Sequence, residues 1–289
     1  MSTWVFTEGV LAPAAESQIA ALDHGVTVGD GVFETCKVVD GTPFAFSRHL
    51  VRLRASAGVL GLTLPWGDSV IRSAAARAVG GALVDPANAA SGVGRLRITV
   101  TGGPGPMGSD RADVPPTLIV AAGPGSPWPS TTDVATVPWV RNDRSAIAGA
   151  KTTSYAENVV ALAEAHRLGA SEAILANTRD VLAEGTGSNV FLVVDGELCT
   201  PSLESGCLDG ITRRLVIEEL ADAGTAVAER SDLTLDHLRT APEAFLTSST
   251  RDVHPIARVD GTLLHAVPGP LTTTALTAFA ALQARTLDP

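Results

Sequence analysis

Hydrophobic and polar residues alternate along Val32–Val39 and Arg95–Thr101, a period of two that predicts half-buried strands. The first run ends at Asp40-Gly41, a hairpin signal. Thr117–Ala122, Ala135–Val140, Ala173–Ala176, Asn189–Val194, Glu243–Thr247 and Val253–Val259 read as further strands, the last turning at Asp260-Gly261 into Leu263-Leu264. Short strands are also expected at Thr3–Phe6 and Gln18–Leu22. A period near 3.6 predicts helices over Arg48–Gly58, Trp66–Val79, Tyr155–Leu168, Thr212–Ala223 and about Gly269–Arg285. Ser47 is the expected cap of the first of these, with Leu50, Leu53 and Ala57 on its apolar face.

Strands and helices mix throughout, so the expected class is α/β (α+β). The run Gly123-Pro124-Gly125-Ser126-Pro127-Trp128-Pro129 is too rich in glycine and proline for a regular element and reads as a linker. It divides the chain into a smaller domain, 1–122, a linker, 123–131, and a larger domain, 132–289. A length of 289 residues suits about two domains.

Composition narrows the function. Hydrophobic residues make up 45% of the chain, which indicates a globular protein. A net charge of −10 argues against nucleic-acid binding as the main function, though not against a local pocket for a small anion. Cys36, Cys199 and Cys207 form neither a disulfide framework nor a zinc pattern, so no metal and a reducing cytoplasm are expected. The N-terminal residues lack a basic flank and a long apolar run, and no apolar stretch approaches about 18 residues, so neither a signal peptide nor a membrane partner is expected.

Candidate chemistry gathers after the linker. Lys151 lies in an uncharged run, Ser145–Tyr155, with no acidic residue within five positions. A lone lysine is ordinarily a solvated surface charge. In apolar surroundings it loses its charge more easily and becomes a nucleophile toward a carbonyl carbon. Glu184 stands in Ala-Glu-Gly-Thr-Gly-Ser-Asn and, taken alone, is a loop carboxylate. Gly210 precedes the helix from Thr212, and free N–H groups at a helix start suit an anion, although a simply capped helix is commoner. Arg48 and Arg52 share one face of their helix as either a solvated stripe or an anion grip. Tyr155 sits one turn beyond Lys151, and Ser248-Ser249-Thr250 closes a strand.

In order and spacing, the segments Gly29-Asp30-Gly31-Val32-Phe33-Glu34, His49-Leu50-Val51-Arg52-Leu53, Lys151, and Glu184 with Ile211-Thr212 resemble the fold-type IV, or class IV, pyridoxal-phosphate enzymes. That family includes the branched-chain and D-amino-acid aminotransferases, (R)-amine transaminases and aminodeoxychorismate lyase, and the likeness covers nearly the whole chain. The resemblance implies a two-domain fold of the D-amino-acid-aminotransferase kind, with pyridoxal 5'-phosphate (PLP) held by residues from both sides of the linker. Lys151 is then the Schiff-base lysine and Glu184 the partner of the ring nitrogen. Arg52, Ile211, Thr212 and Ser249 hold the phosphate, and Tyr155 reaches the phenolic oxygen. Phe33, Lys37, Arg95 and Thr250 are candidates for the substrate pocket.

The resemblance further implies a cytoplasmic homodimer acting on a small amino donor and a keto acid. Amino-group transfer is the favoured activity. Aminodeoxychorismate lyase, releasing pyruvate and 4-aminobenzoate, is the alternative, since TPSLESGCLDGITR is similar to strings found in such lyases. A PLP-binding protein without catalysis is a third reading. D-amino-acid aminotransferases typically carry tyrosine where Phe33 stands, and an Arg-Gly then Arg-x-His pattern near Thr101-Gly102-Gly103. This chain has neither, so their carboxylate trap is not expected.

Overall fold

The computed structural model describes residues 2–88 and 91–289. The chain divides into two compact units, Met1–Pro127 with Ala150–Tyr155 and Leu287–Pro289, and Trp128–Gly149 with Ala156–Thr286.

The first unit contains β1 (Trp4–Thr7), β2 (Val10–Pro13), a short α1 (His24–Thr27), β3 (Gly31–Val39), β4 (Thr42–Pro43), α2 (Phe46–Val59), α3 (Asp68–Val84), β5 (Arg95–Thr101) and β6 (Thr117–Gly123). Its six strands form an antiparallel sheet in the order β2-β1-β6-β5-β3-β4. Alternation decides which side chains enter the core. Val32, Cys36 and Val38 of β3 and Leu96, Ile98 and Val100 of β5 face α2 and α3, where Leu50, Leu53 and Ile71 complete the cluster. Each such leucine or isoleucine contributes about 1.5–3 kcal/mol by leaving water. Phe33, Thr35 and Lys37, with Arg95, Arg97 and Thr99 across the ladder, occupy the opposite face.

Two expectations fail in this unit. Gln18–Leu22 is not a strand; Val10–Pro13 is the strand that pairs with β1. Ser47 does not cap α2. The cap position is Ala45, at φ 53°, and makes no side-chain bond. Ser47 instead donates its N–H and hydroxyl to the Asp288 carboxylate at 2.8 and 2.6 Å, so a residue near the C-terminus satisfies this helix start.

The second unit contains β7 (Thr132–Arg141), α4 (Ala156–Arg167), β8 (Glu172–Asn177), β9 (Leu182–Gly185), β10 (Asn189–Val194), β11 (Glu197–Pro201), α5 (Ile211–Asp222), β12 (Ala228–Arg230), α6 (Leu235–Thr240), β13 (Ala244–Ser248), β14 (Asp252–Val259), β15 (Thr262–Leu263) and α7 (Pro270–Arg285). The main path of its mixed sheet is β12-β11-β10-β13-β14-β7-β8-β9, with β15 paired to β14. The pairs β11–β12, β14–β7 and β7–β8 are parallel. Leu182, Val190, Leu192, Leu246 and Ile256 lie in its main core. Glu184, read as a loop carboxylate when taken alone, lies on β9 opposite Leu175 of β8.

Among the described residues no helix is long and apolar enough to cross a membrane. All three cysteines are buried and unbridged.

Candidate active site

In the first unit, residues 150–155 run antiparallel to the start of β3. Val32 bridges Thr152. The Phe33 N–H donates to Lys151 O at 3.0 Å, and the Thr153 N–H donates to Gly31 O at 2.8 Å. The Lys151 N–H donates to Ser56 Oγ on α2 at 3.0 Å. Glycine is needed at 31, because a Cβ there would come within 2.8 Å of Val100 O and 3.0 Å of Thr153 Oγ1. Backbone pairing thus fixes where the lysine side chain departs.

That side chain rests on aromatic rings. Lys151 Nζ lies 4.4 Å from the Phe33 centroid and 5.9 Å from that of Tyr155. The two rings meet edge to face at 5.2 Å and 81°. Arg97 completes the cluster, its Cζ 3.7 Å from the Phe33 centroid. Sequence reasoning named Arg95 and missed Arg97. Arg95 pairs across the ladder with Lys37. Lys37 is four residues along β3 from Phe33, roughly 13 Å at a strand's rise. Both arginines share the face, and only the register separates them.

Behind β3, on the core face, Glu34 is fully buried. Arg52 grips it with Nε and Nη2, both at 2.7 Å, and His49 Nδ1 lies 2.6 Å away. Burial drives the Glu34 carboxyl upward, but the Arg52 charge and fork, aided by His49, hold it down to about 2. Burial also lowers the pKa of His49, against the pull of Glu34. Two of the five guanidinium N–H groups of Arg52 are therefore committed to Glu34, which orients the fork. Arg48 turns elsewhere, donating from Nε to Pro289 O at 3.0 Å.

In the second unit, Glu184 Oε2 accepts the Leu208 N–H at 2.9 Å. Its Oε1 lies 3.1 Å from Arg141 Nε, an ion pair without the alignment of a hydrogen bond. Arg141 is steadied by Asn158 of α4, whose Oδ1 accepts from Nη1 at 3.0 Å. Cys207, beside Leu208, has its thiol pushed up to about 11 by burial and by the Glu184 charge, so it is no competing nucleophile at neutral pH.

The Leu208 carbonyl accepts from Asn189 Nδ2 at 2.8 Å, and the chain then enters α5 through Gly210. Gly210 supplies no side-chain cap, and Ile211 and Thr212 are buried at the first turn. A Cβ at 210 would sit 1.9 Å from Asn189 Oδ1. Asn189 pairs across the sheet with Thr247, whose buried hydroxyl has no hydrogen-bond partner among the described residues. Ser249 and Thr250 follow in the turn after β13, both half-buried.

These features fit PLP. A helix start without a side-chain cap suits a phosphate, an amine on an aromatic shelf suits an aldehyde, and a carboxylate held by a backbone N–H suits a ring nitrogen. The chain belongs to the amino-transferase class IV family, whose model matches residues 31–259. A D-alanine aminotransferase of Listeria innocua is 31% identical over 256 residues, covering 83% of this chain and 81% of the relative. The solved branched-chain aminotransferase of Thermoproteus uzoniensis, with norvaline, superposes at a TM-score of 0.86 and 28% identity, covering 98% of this chain and 95% of that one. A fold IV transaminase of Curtobacterium pusillum gives 0.81 and 30%, covering 98% and 99%. The expected fold and family are those found, and the activity is that of a class IV aminotransferase. The lyase alternative gains no support from these relatives.

Proposed function

We propose that Lys151 is the catalytic residue of a PLP-dependent transfer of an amino group from an amino acid or amine to a keto acid. The observation that carries this is the Lys151 amine, oriented by β3 pairing and resting on Phe33 and Tyr155. PLP, the cofactor of this family, supplies an electron sink when bound. Lys151 Nζ would hold PLP through its aldehyde carbon and, once released, would be the base that moves a proton at the substrate's Cα. Glu184 would face the ring nitrogen and favour its protonated form by opposite charge. Tyr155 would serve the phenolic oxygen. The N–H groups at Ile211 and Thr212, the Ser249 hydroxyl and the Arg52 guanidinium would hold the phosphate. Phe33 and Thr250 border the substrate, with Lys37 and Arg95 farther along the same sheet face as Phe33.

The deciding experiment is borohydride treatment of the holoprotein followed by peptide mapping. The label should fall on Lys151, and Lys151→Ala should lose the visible absorbance and the transfer. A label on Lys37, with Lys151→Ala still active, would overturn the assignment. We also propose a domain boundary at 123–131, a cytoplasmic location and a homodimer. Sedimentation showing a fully active monomer would remove the last.

A further inference from the structure

Glu172 opens β8 in the second unit and is only 2% exposed. A carboxylate so buried is costly unless donors surround it. Most of its donors come from one place, the turn between β9 and β10. Oε1 accepts from the Thr186 hydroxyl and from the Thr186 N–H at 3.0 Å, an N–H that also reaches Ala173 O at 3.1 Å. Oε2 accepts from Ser188 Oγ at 2.9 Å. The Ala173 N–H adds a longer bond at 3.2 Å, and Arg251 Nη2 lies 3.9 Å away. Gly185 leaves the space for this: a Cβ there would come within 3.1 Å of the Glu172 side chain and 2.4 Å of Ser188 Oγ.

Thr186 stands two residues past Glu184 and is tied back to it from the other side. Its carbonyl accepts from Asn158 Nδ2, Asn158 Oδ1 accepts from Arg141 Nη1 at 3.0 Å, and Arg141 Nε lies 3.1 Å from Glu184 Oε1. Backbone and side chains thus close a circuit from Glu184 through Thr186, Asn158 and Arg141 back to the Glu184 carboxylate. All of its members lie in the second unit. Glu172 pins that circuit at Thr186.

We propose that Glu172 is a positioning residue for Glu184: by holding Thr186 it sets where Arg141 meets the Glu184 carboxylate, and so how well that carboxylate meets the ring nitrogen of PLP. The inference rests on the reading of Glu184 above. What the circuit needs from Glu172 is reach rather than charge. A side chain one methylene shorter would withdraw by roughly 1.5 Å, a single C–C bond. That takes the 3.0 Å bond from Thr186 past the range of a hydrogen bond. An amide of the same length keeps an acceptor at Thr186 and gives up only the charge.

The test binds two cofactors to the cofactor-free full chain: PLP, and 1-deazapyridoxal phosphate, whose ring carries C–H in place of the nitrogen. A charge-assisted hydrogen bond is worth about a decade or more, so the wild type should favour PLP by about tenfold or more in a fluorescence titration. Glu172→Gln should keep that preference within about threefold. Glu172→Asp keeps the charge but loses the reach. It should bring the two affinities to near equality, with binding of the deaza cofactor within about threefold of wild type. A wild-type preference in Glu172→Asp, or an equal loss of affinity for both cofactors, would overturn the proposal. So would a loss confined to Glu172→Gln, which would assign Glu172 to neutralising Arg251. Thr186→Val, which removes the hydroxyl that meets Glu172, decides the question if Glu172→Asp does not fold: a lowered preference supports the proposal and an unchanged one overturns it. Wild-type protein that does not distinguish the two cofactors would instead sink the reading of Glu184, and the proposal with it.

Discussion

Arg52→Ala, measured on cofactor-free protein, isolates the structural half of what this arginine does. The substitution leaves the fully buried Glu34 carboxylate facing His49 alone. Burial would drive that carboxyl up; the Arg52 charge and fork, with His49, hold it at about 2 against an ordinary 4.5. At about 1.36 kcal/mol per tenfold change in proton affinity, the interaction contributes about 3 kcal/mol to folding at neutral pH. Removing one partner of a buried pair costs about 3–5 kcal/mol, so the two routes agree. A chain of this size loses about 2–4 °C of Tm per kcal/mol, which gives an expected drop of about 6–20 °C in a circular-dichroism melt at pH 7. The double variant Arg52→Met with Glu34→Gln removes both charges together and should recover at least half of that loss. A drop under about 2 °C in the single variant would refute the reasoning, since Glu34 would then not depend on Arg52. In the holoprotein the same single variant should also lower cofactor affinity at least about tenfold, through the lost phosphate bond.

Two further outcomes follow from the same structure. The folded Glu34 carboxyl lies below its unfolded value, so its stabilisation is complete above about pH 4.5 and is lost as pH falls toward 2. Acid unfolding of the Arg52→Met, Glu34→Gln double variant should therefore be shallower over that window, and a slope equal to wild type would contradict it. Glu184→Gln keeps size and one acceptor but removes the charge, so it should retain cofactor yet slow the half-reaction with an amino donor about tenfold or more. An unchanged single-turnover rate with cofactor bound would return Glu184 to a structural role.

Much of this was legible because it is local. The alternation in Val32–Val39 and Arg95–Thr101 marks the strands and their faces, and Gly210 before an apolar helical period marks the start of α5. The misses are contacts that only tertiary register creates. Ser47 is a good cap by type, but its hydroxyl goes to Asp288, 241 residues away. Arg48 and Arg52 look alike on one helix face, and what separates them is that β3 delivers Glu34 to one and the chain end reaches the other. Arg95 and Arg97 are likewise two candidates of one kind, and the pairing of Thr35 with Arg97 brings the second diagonally onto Phe33. Lys151 stands far from β3 in sequence, so its place beside Val32 and Phe33 could be reached only through family likeness.

The strand β3 ties stability to chemistry through adjacent residues. Glu34 points into the core and is clamped by Arg52 and His49; Phe33 points the other way and carries Lys151 and Arg97. Because side chains alternate, a slip of one residue would turn Phe33 inward and Glu34 outward, stranding Arg52 without its acid and removing the shelf from under the amine. A hydrophobic residue at 34 could fill the same space at no cost in desolvation, but it would not penalise the slipped register as a buried charge does. The pair therefore specifies register as well as adding stability, and the register is what sets Phe33 under the Lys151 amine. The run Gly29–Glu34 then serves as a unit. Gly31 admits the lysine segment, Phe33 supports its side chain, and Glu34 locks the strand that presents both.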